Sequence, residues 1–275
     1  MEHIERESME FDVVIVGAGP SGLSAAIKIR QLAIENNLPD LSVCVVEKGS
    51  EVGAHILSGA VLEPRALNEL FPNWKEEGAP LNVPVTQDKT YFLLSDSTHK
   101  EAPHWMVPKT MHNDGNYVVS LGNVVRWLGQ KAEELEVSVF PGFAASEILF
   151  HEDGSVKGIQ TGDMGIGKDG QPTHNFAPGY ELHAKYTLFA EGCRGHLGKR
   201  LIAKYNLDKD ADPQHYGIGI KELWEIDPEK HQAGLVMHGT GWPFAETGTA
   251  GGWWLYHGEN NQISLGTFVD LCYEN

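Results

Sequence analysis

The stretch Asp12-Val13-Val14-Ile15-Val16-Gly17-Ala18-Gly19-Pro20-Ser21-Gly22 reads as a buried strand passing through a tight turn into a helix. Four β-branched residues in a row, Val13 to Val16, suit a strand covered on both faces of a parallel sheet. The glycines follow a G-x-G-x-x-G spacing: Gly17 allows the turn, Gly19 lets the backbone approach phosphates, and Gly22 permits close helix–strand contact. The helix terminus brings N–H groups and a partial positive charge to the same point, a seat for a pyrophosphate. Such loops are common, so context decides. Leu23, Ala26, Ile27 and Ile34 fall at helical spacing and give the helix one apolar stripe. Ser42-Val43-Cys44-Val45-Val46-Glu47 then reads as the next strand, and Glu47 lies 25 residues past Gly22, where a carboxylate takes the hydroxyls of an adenosine ribose. An acid at that position suits FAD or NAD better than NADP.

The chain has 275 residues, 41% of them hydrophobic, enough for one large domain or two modest ones. Its formal charge of -17 argues against a nucleic-acid surface and repels anionic lipid heads. Cys44, Cys193 and Cys272 are far apart, form no C-x-x-C, and give no framework for zinc or an iron–sulfur cluster; this usage fits a reducing compartment. No run of eighteen apolar residues is present, and Met1 to Glu10 reads as neither a secretion signal nor an Arg-rich transit peptide.

Behind Glu47, Gly53-Ala54-His55-Ile56-Leu57-Ser58-Gly59-Ala60 reads as a loop over the cofactor or as an ordinary connection. Residues 64 to 119 look like an insertion leaving the nucleotide domain, with one strand at Thr90 to Leu94. Within it, Trp105-Met106-Val107 beside Lys109 either dips into a bilayer interface or packs on its own domain. From Ser120, the spacing of Leu121, Val124, Val125, Leu128 and Leu135 predicts a helix, followed by a strand at Val137 to Phe140 and a hairpin about Asp153-Gly154. Gly162 to Lys168 imitates the start of a P-loop, but Asp169 stands where magnesium needs Ser or Thr, so Asp169-Gly170 is read as a turn. Tyr186 to Arg200 is a second phosphate-friendly element, a strand delivering Glu191, Gly192 and Gly195 to a sheet edge before a helix with basic residues. Spaced strands from Tyr216 to Val269 predict an antiparallel sheet in a second domain. There is no G-x-S-x-G or H-E-x-x-H, and the 13 histidines do not cluster at ligand spacing. No catalytic residue or metal ligand is therefore nominated, and the chemistry is left to a cofactor.

Six blocks, taken in order, closely resemble the electron-transfer flavoprotein-ubiquinone oxidoreductase family: Gly17 to Ala26, Gly53 to Ala60, His112 to Tyr117, Ser120 to Gly122, Phe189 to Leu197 and Tyr216 to Trp224. The likeness runs from about Phe11 to the end. It implies an α/β fold: a Rossmann-like FAD-binding domain of the glutathione-reductase/hydroxylase type with an inserted α+β, antiparallel-sheet quinone-binding domain. The first would take residues 10–80 and 120–200, the second 81–119 and 201–275. FAD would be held by Gly17, Gly19, Pro20, Ser21, Gly22, Glu47 and Lys48, by Gly53, Ala54, Leu57, Ser58 and Gly59 about the isoalloxazine, and by Glu191, Gly192 and Gly195. The quinone head group would meet Gly251 and Gly252.

The implied partners are electron-transfer flavoprotein, ubiquinone and a membrane surface. That surface would be the cytoplasmic face of the bacterial inner membrane, or the mitochondrial inner membrane in eukaryotic relatives. The family's closing FAD segment and its four-cysteine [4Fe-4S] domain would lie beyond Asn275, so an amino-terminal part with weak FAD retention and little native activity is expected. Two other readings stand beside this one, a flavoenzyme like the geranylgeranyl reductases or hydroxylases and a non-catalytic FAD-binding fragment.

Overall fold

The computed structural model describes residues 5–57 and 59–273. The chain divides into two compact units, residues up to Ile56 with Val125–Ala211, and Leu57–Val124 with Asp212 onward. The first begins with β1 (Ser8–Val16), α1 (Pro20–Glu35) and β2 (Val43–Glu47). The second takes up β3 (Gly59–Leu62), α2 (Arg65–Leu70), β4 (Val83–Pro84), β5 (Gln87–Leu93), β6 (His99–Ala102) and β7 (Tyr117–Ser120). After α3 (Leu121–Glu134) the first unit resumes with β8 (Ser138–Pro141), β9 (Ala145–Phe150), β10 (Val156–Thr161), β11 (Met164–Ile166), β12 (Pro172–Ala177), β13 (Glu181–Phe189) and α4 (His196–Tyr205). The second closes with β14 (Gly217–Glu225), β15 (Leu235–Gly241), α5 (Phe244–Thr247), β16 (Gly251–His257) and β17 (Gln262–Asp270).

In the first unit the β-branched run lies where such a run belongs, inside a six-stranded sheet of order β8-β2-β1-β13-β10-β9. The first four are parallel, and β10 and β9 add antiparallel strands. β1 is longer than its apolar core because Ser8 to Phe11 pair with Glu181 to Ala184 of β13. Alternation sends Val14, Val16, Cys44 and Val46 to one face, packed with Ile159, Leu182 and Leu197 of α4. Val13, Ile15, Val43 and Val45 take the other face, and α1 packs against β1 and β2. The expected stripe of α1 needs one correction. Leu23, Ala26 and Ile27 are buried, but Ile34, in the last turn, is exposed, and the buried face continues through Arg30 and Ala33.

Strand β1 is also fixed by charge. Asp12 accepts from Lys185 Nζ at 2.5 Å, from Ser42 N at 2.8 Å and from Ser42 Oγ at 3.0 Å. Hydrogen bonding to Lys185 and then to Ser42 lowers its pKa from 3.8 to about 2. A depressed folded-state pKa contributes stability above the unfolded value that is lost as pH falls through the folded one. Asp12→Asn should therefore cost about 1 kcal/mol at neutral pH, the solvent-facing Lys185 discounting the Coulombic share. Urea unfolding should show the gap to wild type closing between pH 4 and pH 2.

The P-loop imitation is a hairpin, with β11 pairing antiparallel to β12 and Gly170 at φ +77° in the turn. The second unit holds a six-stranded sheet of order β14-β17-β16-β15-β5-β6 and a small sheet, β3-β7-β4. The larger is antiparallel except where β15 runs parallel to β5, so it is mixed rather than wholly antiparallel. All three boundaries read from sequence move, the middle one so that 120–124 fall in the second unit. Residues 57–80 join the second unit because β3 pairs with β7, Gly59 opposite Ser120, and residues 201–211 stay with the first because α4 runs to Tyr205.

Candidate functional site

In the sheet β1 lies between β2, the next strand in sequence, and β13, which is far along the chain; the strand order reverses there, which opens a crevice at the carboxyl ends of β1, β2 and β13. There the first unit carries a cleft of about 820 Å³, lined among others by Gly17, Gly19, Pro20, Ser21, Glu47 and Lys48. That volume lies within the range of small-molecule and cofactor sites.

The turn into α1 explains its glycines one at a time. Gly17 sits at φ +106°, and a Cβ there would lie 2.5 Å from the Ala190 carbonyl oxygen. A Cβ on Gly22 would lie 2.0 Å from the Gly17 carbonyl oxygen, so Gly22 serves packing and does not line the cleft. Gly19 differs: nothing lies within 4 Å of its Cβ position, and it faces the cleft. It is the N-cap of α1, no side chain caps the helix, and Pro20 begins it. The first turn thus offers its amide edge and dipole to an anion.

Glu47, at the end of β2, is held from both sides. Its Oε2 accepts from Ala18 N at 3.0 Å and its Oε1 from Gly49 N at 2.7 Å. A carboxylate anchored by two backbone donors keeps further lone pairs on each oxygen for hydroxyl donors in the cleft.

The second phosphate-friendly element turns out differently from its sequence reading. Glu191 folds back onto α4, its Oε2 accepting from Gly198 N at 2.7 Å and its Oε1 from Leu197 N at 3.3 Å, with His196 Nδ1 also 3.3 Å from Oε1. The amino-terminus of α4 already has its anion, supplied by the chain. Gly195 is glycine for this reason, since a Cβ there would lie 2.4 Å from the Glu191 Cβ. Glu191, Gly192 and Gly195 all line the cleft, but of the two helices it is α1 whose amino-terminus no side chain caps.

The 53 to 59 loop is divided. Gly53, at φ +83°, lines the cleft with His55 and Ile56, and Ala54 does not. Leu57, 83% exposed, and Gly59, in β3, belong to the second unit, and Ser58 lies outside the described residues. Sequence reasoning passed over Arg194, His196 and Phe143, which also line the cleft. The first two stood inside a nominated segment beside its glycines. Phe143 follows an edge strand and had no signal.

In the second unit Gly251 and Gly252 open β16. Cβ atoms there would meet the Phe244 ring at 2.8 Å and the Gly239 carbonyl oxygen at 2.7 Å. Their carbonyls accept from Thr240 Oγ1 at 2.8 Å and Thr267 Oγ1 at 3.0 Å. Close packing accounts for both glycines before any ligand is considered. On the same strand, Trp253 Nε1 and Trp254 Nε1 are buried without a hydrogen-bond partner among the described residues.

A family model described as ETF-QO, ubiquinone-binding, matches residues 216–275, and the Thi4 family model matches residues 2–103. A probable electron transfer flavoprotein-ubiquinone oxidoreductase of Acinetobacter baylyi is 88% identical over 99% of this chain and 48% of its own. The Pseudomonas aeruginosa protein of that name is 64% identical over 99% of this chain and 49% of its own. Both relatives are named as electron transfer flavoprotein-ubiquinone oxidoreductases, and this chain is similar to them along nearly its whole length. The mitochondrial family member of Bos taurus is 54% identical over 99% of this chain and 44% of its own, so the chain spans about half the length of these relatives.

Solved structures support the fold alone. A geranylgeranyl bacteriochlorophyll reductase-like protein from Thermoplasma acidophilum superposes with TM-score 0.63 at 16% identity, over 95% of this chain and 57% of the other. The flavin-dependent monooxygenase PieE, solved with FAD and substrate, gives 0.61 at 15%, over 98% and 44%. The α/β, Rossmann-like architecture expected from sequence is the fold these two structures support.

Proposed function

We propose that the chain forms the FAD-binding and quinone-binding part of an oxidoreductase that passes electrons from reduced electron-transfer flavoprotein to ubiquinone at a membrane surface. The observation that carries the FAD reading is the uncapped terminus of α1 beside the doubly anchored Glu47 in one cleft. The Cβ space left open at Gly19, against glycines on either side filled by backbone, fits a group that approaches the main chain there. In this reading the first-turn amides of α1 hold the pyrophosphate and Glu47 accepts from the ribose hydroxyls. Arg194 brings positive charge to the same cleft. Bound FAD supplies the electron-transfer chemistry, and the chain's own residues place it and exclude water from it.

The quinone reading rests on the family match to residues 216–275 and on the orphan indole N–H of Trp253, next to Gly252. A quinone carbonyl is an acceptor of the kind such donors lack. The membrane reading rests on Trp105 and Met106, 82% and 59% exposed, while no helix among the described residues is long and apolar enough to cross a bilayer. Trp105→Ala with Met106→Ala should leave the melting temperature unchanged and lower flotation with zwitterionic vesicles several-fold. Equal flotation would place the contact elsewhere.

The deciding experiment is titration of the purified chain with FAD, followed by reduced electron-transfer flavoprotein and a soluble ubiquinone analogue. Saturable, near-equimolar quenching of flavin fluorescence in the titration supports the seat, and its absence overturns it. Oxidation of NAD(P)H by the flavin-loaded chain in place of electron-transfer flavoprotein would favour the reductase-like reading instead.

A further inference from the structure

No metal ligands were expected from sequence, because the 13 histidines do not cluster at ligand spacing, and His104, His112 and Asp114 lie eight and two residues apart. The second unit nevertheless brings them together, with one ligand atom of each within 4.8 Å of the others. We propose that these three residues form a binding site for a divalent transition-metal cation of the zinc class.

The chemistry of the set is specific. Two imidazoles and one carboxylate leave a fourth position for water, the pattern of three-ligand zinc sites. Bonds of about 2.0–2.2 Å in a tetrahedron place neighbouring ligand atoms roughly 3.3–3.6 Å apart. His104 Nε2 lies 3.6 Å from Asp114 Oδ2, already at that separation. The imidazoles of His104 and His112 have ring centroids 3.9 Å apart. Closing the widest pair takes about 1 Å of side-chain rotation, and His104 and Asp114 are exposed and free to make it.

The backbone beneath is held as a site requires. Pro103 and Pro108 precede the two 3₁₀ turns, His104–Met106 and Lys109–Met111, and fix their entry. Asp88 of β5 accepts from both the backbone N of Asn113 at 2.9 Å and its Nδ2 at 3.2 Å, which fixes the residue between His112 and Asp114. His112 Nε2 lies 2.9 Å from the Val107 carbonyl oxygen. The tautomer that donates there leaves Nδ1 with its lone pair, the outer-partner arrangement common to metal-bound histidines. The chain as a whole carries a formal charge of -17, which raises the concentration of cations about it.

Cobalt(II) titration of the untagged chain, followed through its visible d–d absorption and by zinc displacement, tests this. The expected result is one saturable Co²⁺ per chain, displaced by Zn²⁺. His104→Asn, His112→Asn and Asp114→Asn should each weaken it by about tenfold or more, since losing a ligand costs no less than losing an outer partner. Their circular dichroism and melting should match wild type. The other histidines of the 13 make these variants indispensable. Absence of a saturable Co²⁺ band, or folded variants that bind as wild type does, overturns the proposal.

Discussion

Gly22→Ala should unfold the first unit under conditions where Gly19→Ala remains fully folded yet binds FAD at least about tenfold more weakly, a loss of 1.4 kcal/mol or more. The two glycines are three residues apart in one motif, and the surroundings separate their roles. A methyl on Gly22 would sit 2.0 Å from the Gly17 carbonyl oxygen and 3.3 Å from the Ala190 Cβ. Both neighbours are pinned, Gly17 N donating to Val46 O at 2.8 Å and Ala190 N to Val16 O at 2.8 Å. The turn cannot yield without breaking the ladder that joins β1 to its neighbours, so the cost should be about 3 kcal/mol or more. Gly19, at φ -79° and ψ -178°, has a backbone any residue adopts, and its methyl would meet nothing. Its only effect is to fill space that a phosphate would take. Thermal melting and flavin-fluorescence titration of the two variants read these outcomes separately. Wild-type FAD affinity in Gly19→Ala would show that no phosphate approaches α1.

The same contrast shows how much of the molecule its sequence makes legible. β1, α1 and β2 could be read because period, glycine spacing and a terminal acid all serve one local structure, and local structure is what spacing records. Glu191 was legible as an acid at a strand end, but not as the partner of the helix that follows it. Its position depends on a side chain turning back over Gly195, which no periodicity encodes. β3 escaped notice for another reason: four half-buried residues, Gly59 to Leu62, carry too short a pattern, and their pairing with β7 is set some sixty residues away. Phe143 and the cluster of His104, His112 and Asp114 are likewise products of tertiary placement. Arg30 is the sharpest case, a cation on the apolar stripe of α1 that composition would assign to solvent.

Arg30→Met should destabilise the first unit by about 3–5 kcal/mol, the range for removing one partner of a buried charged network. Arg30 is 3% exposed and uses most of its fork. Nε donates to Leu135 O at 2.8 Å, Nη1 to Pro39 O at 2.8 Å and Leu41 O at 2.7 Å, and Nη2 to Glu136 Oε2 at 2.9 Å. It thereby joins the middle of α1, the segment entering β2 and the end of α3. Methionine fills the volume but strands three carbonyls, each costing about 1–3 kcal/mol where water cannot reach it. Lysine would fare little better, having no planar fork to meet acceptors on two sides. The ionic partner contributes far less: Glu136 is 82% exposed, and an ion pair at that end is worth at most about 1 kcal/mol. Glu136 also sits at φ +63°, where glycine is favoured, so Glu136→Gly should be close to neutral, relief of strain offsetting the lost pair. Melting should place Arg30→Met roughly 10 °C below wild type and Glu136→Gly within about 2 °C, at 2–4 °C per kcal/mol for a chain of this size. Equal shifts in the two variants would mean that the salt bridge, and not the backbone carbonyls, is what Arg30 serves. The consequence reaches the cleft, because the helix that Arg30 anchors is the one whose first turn lines it.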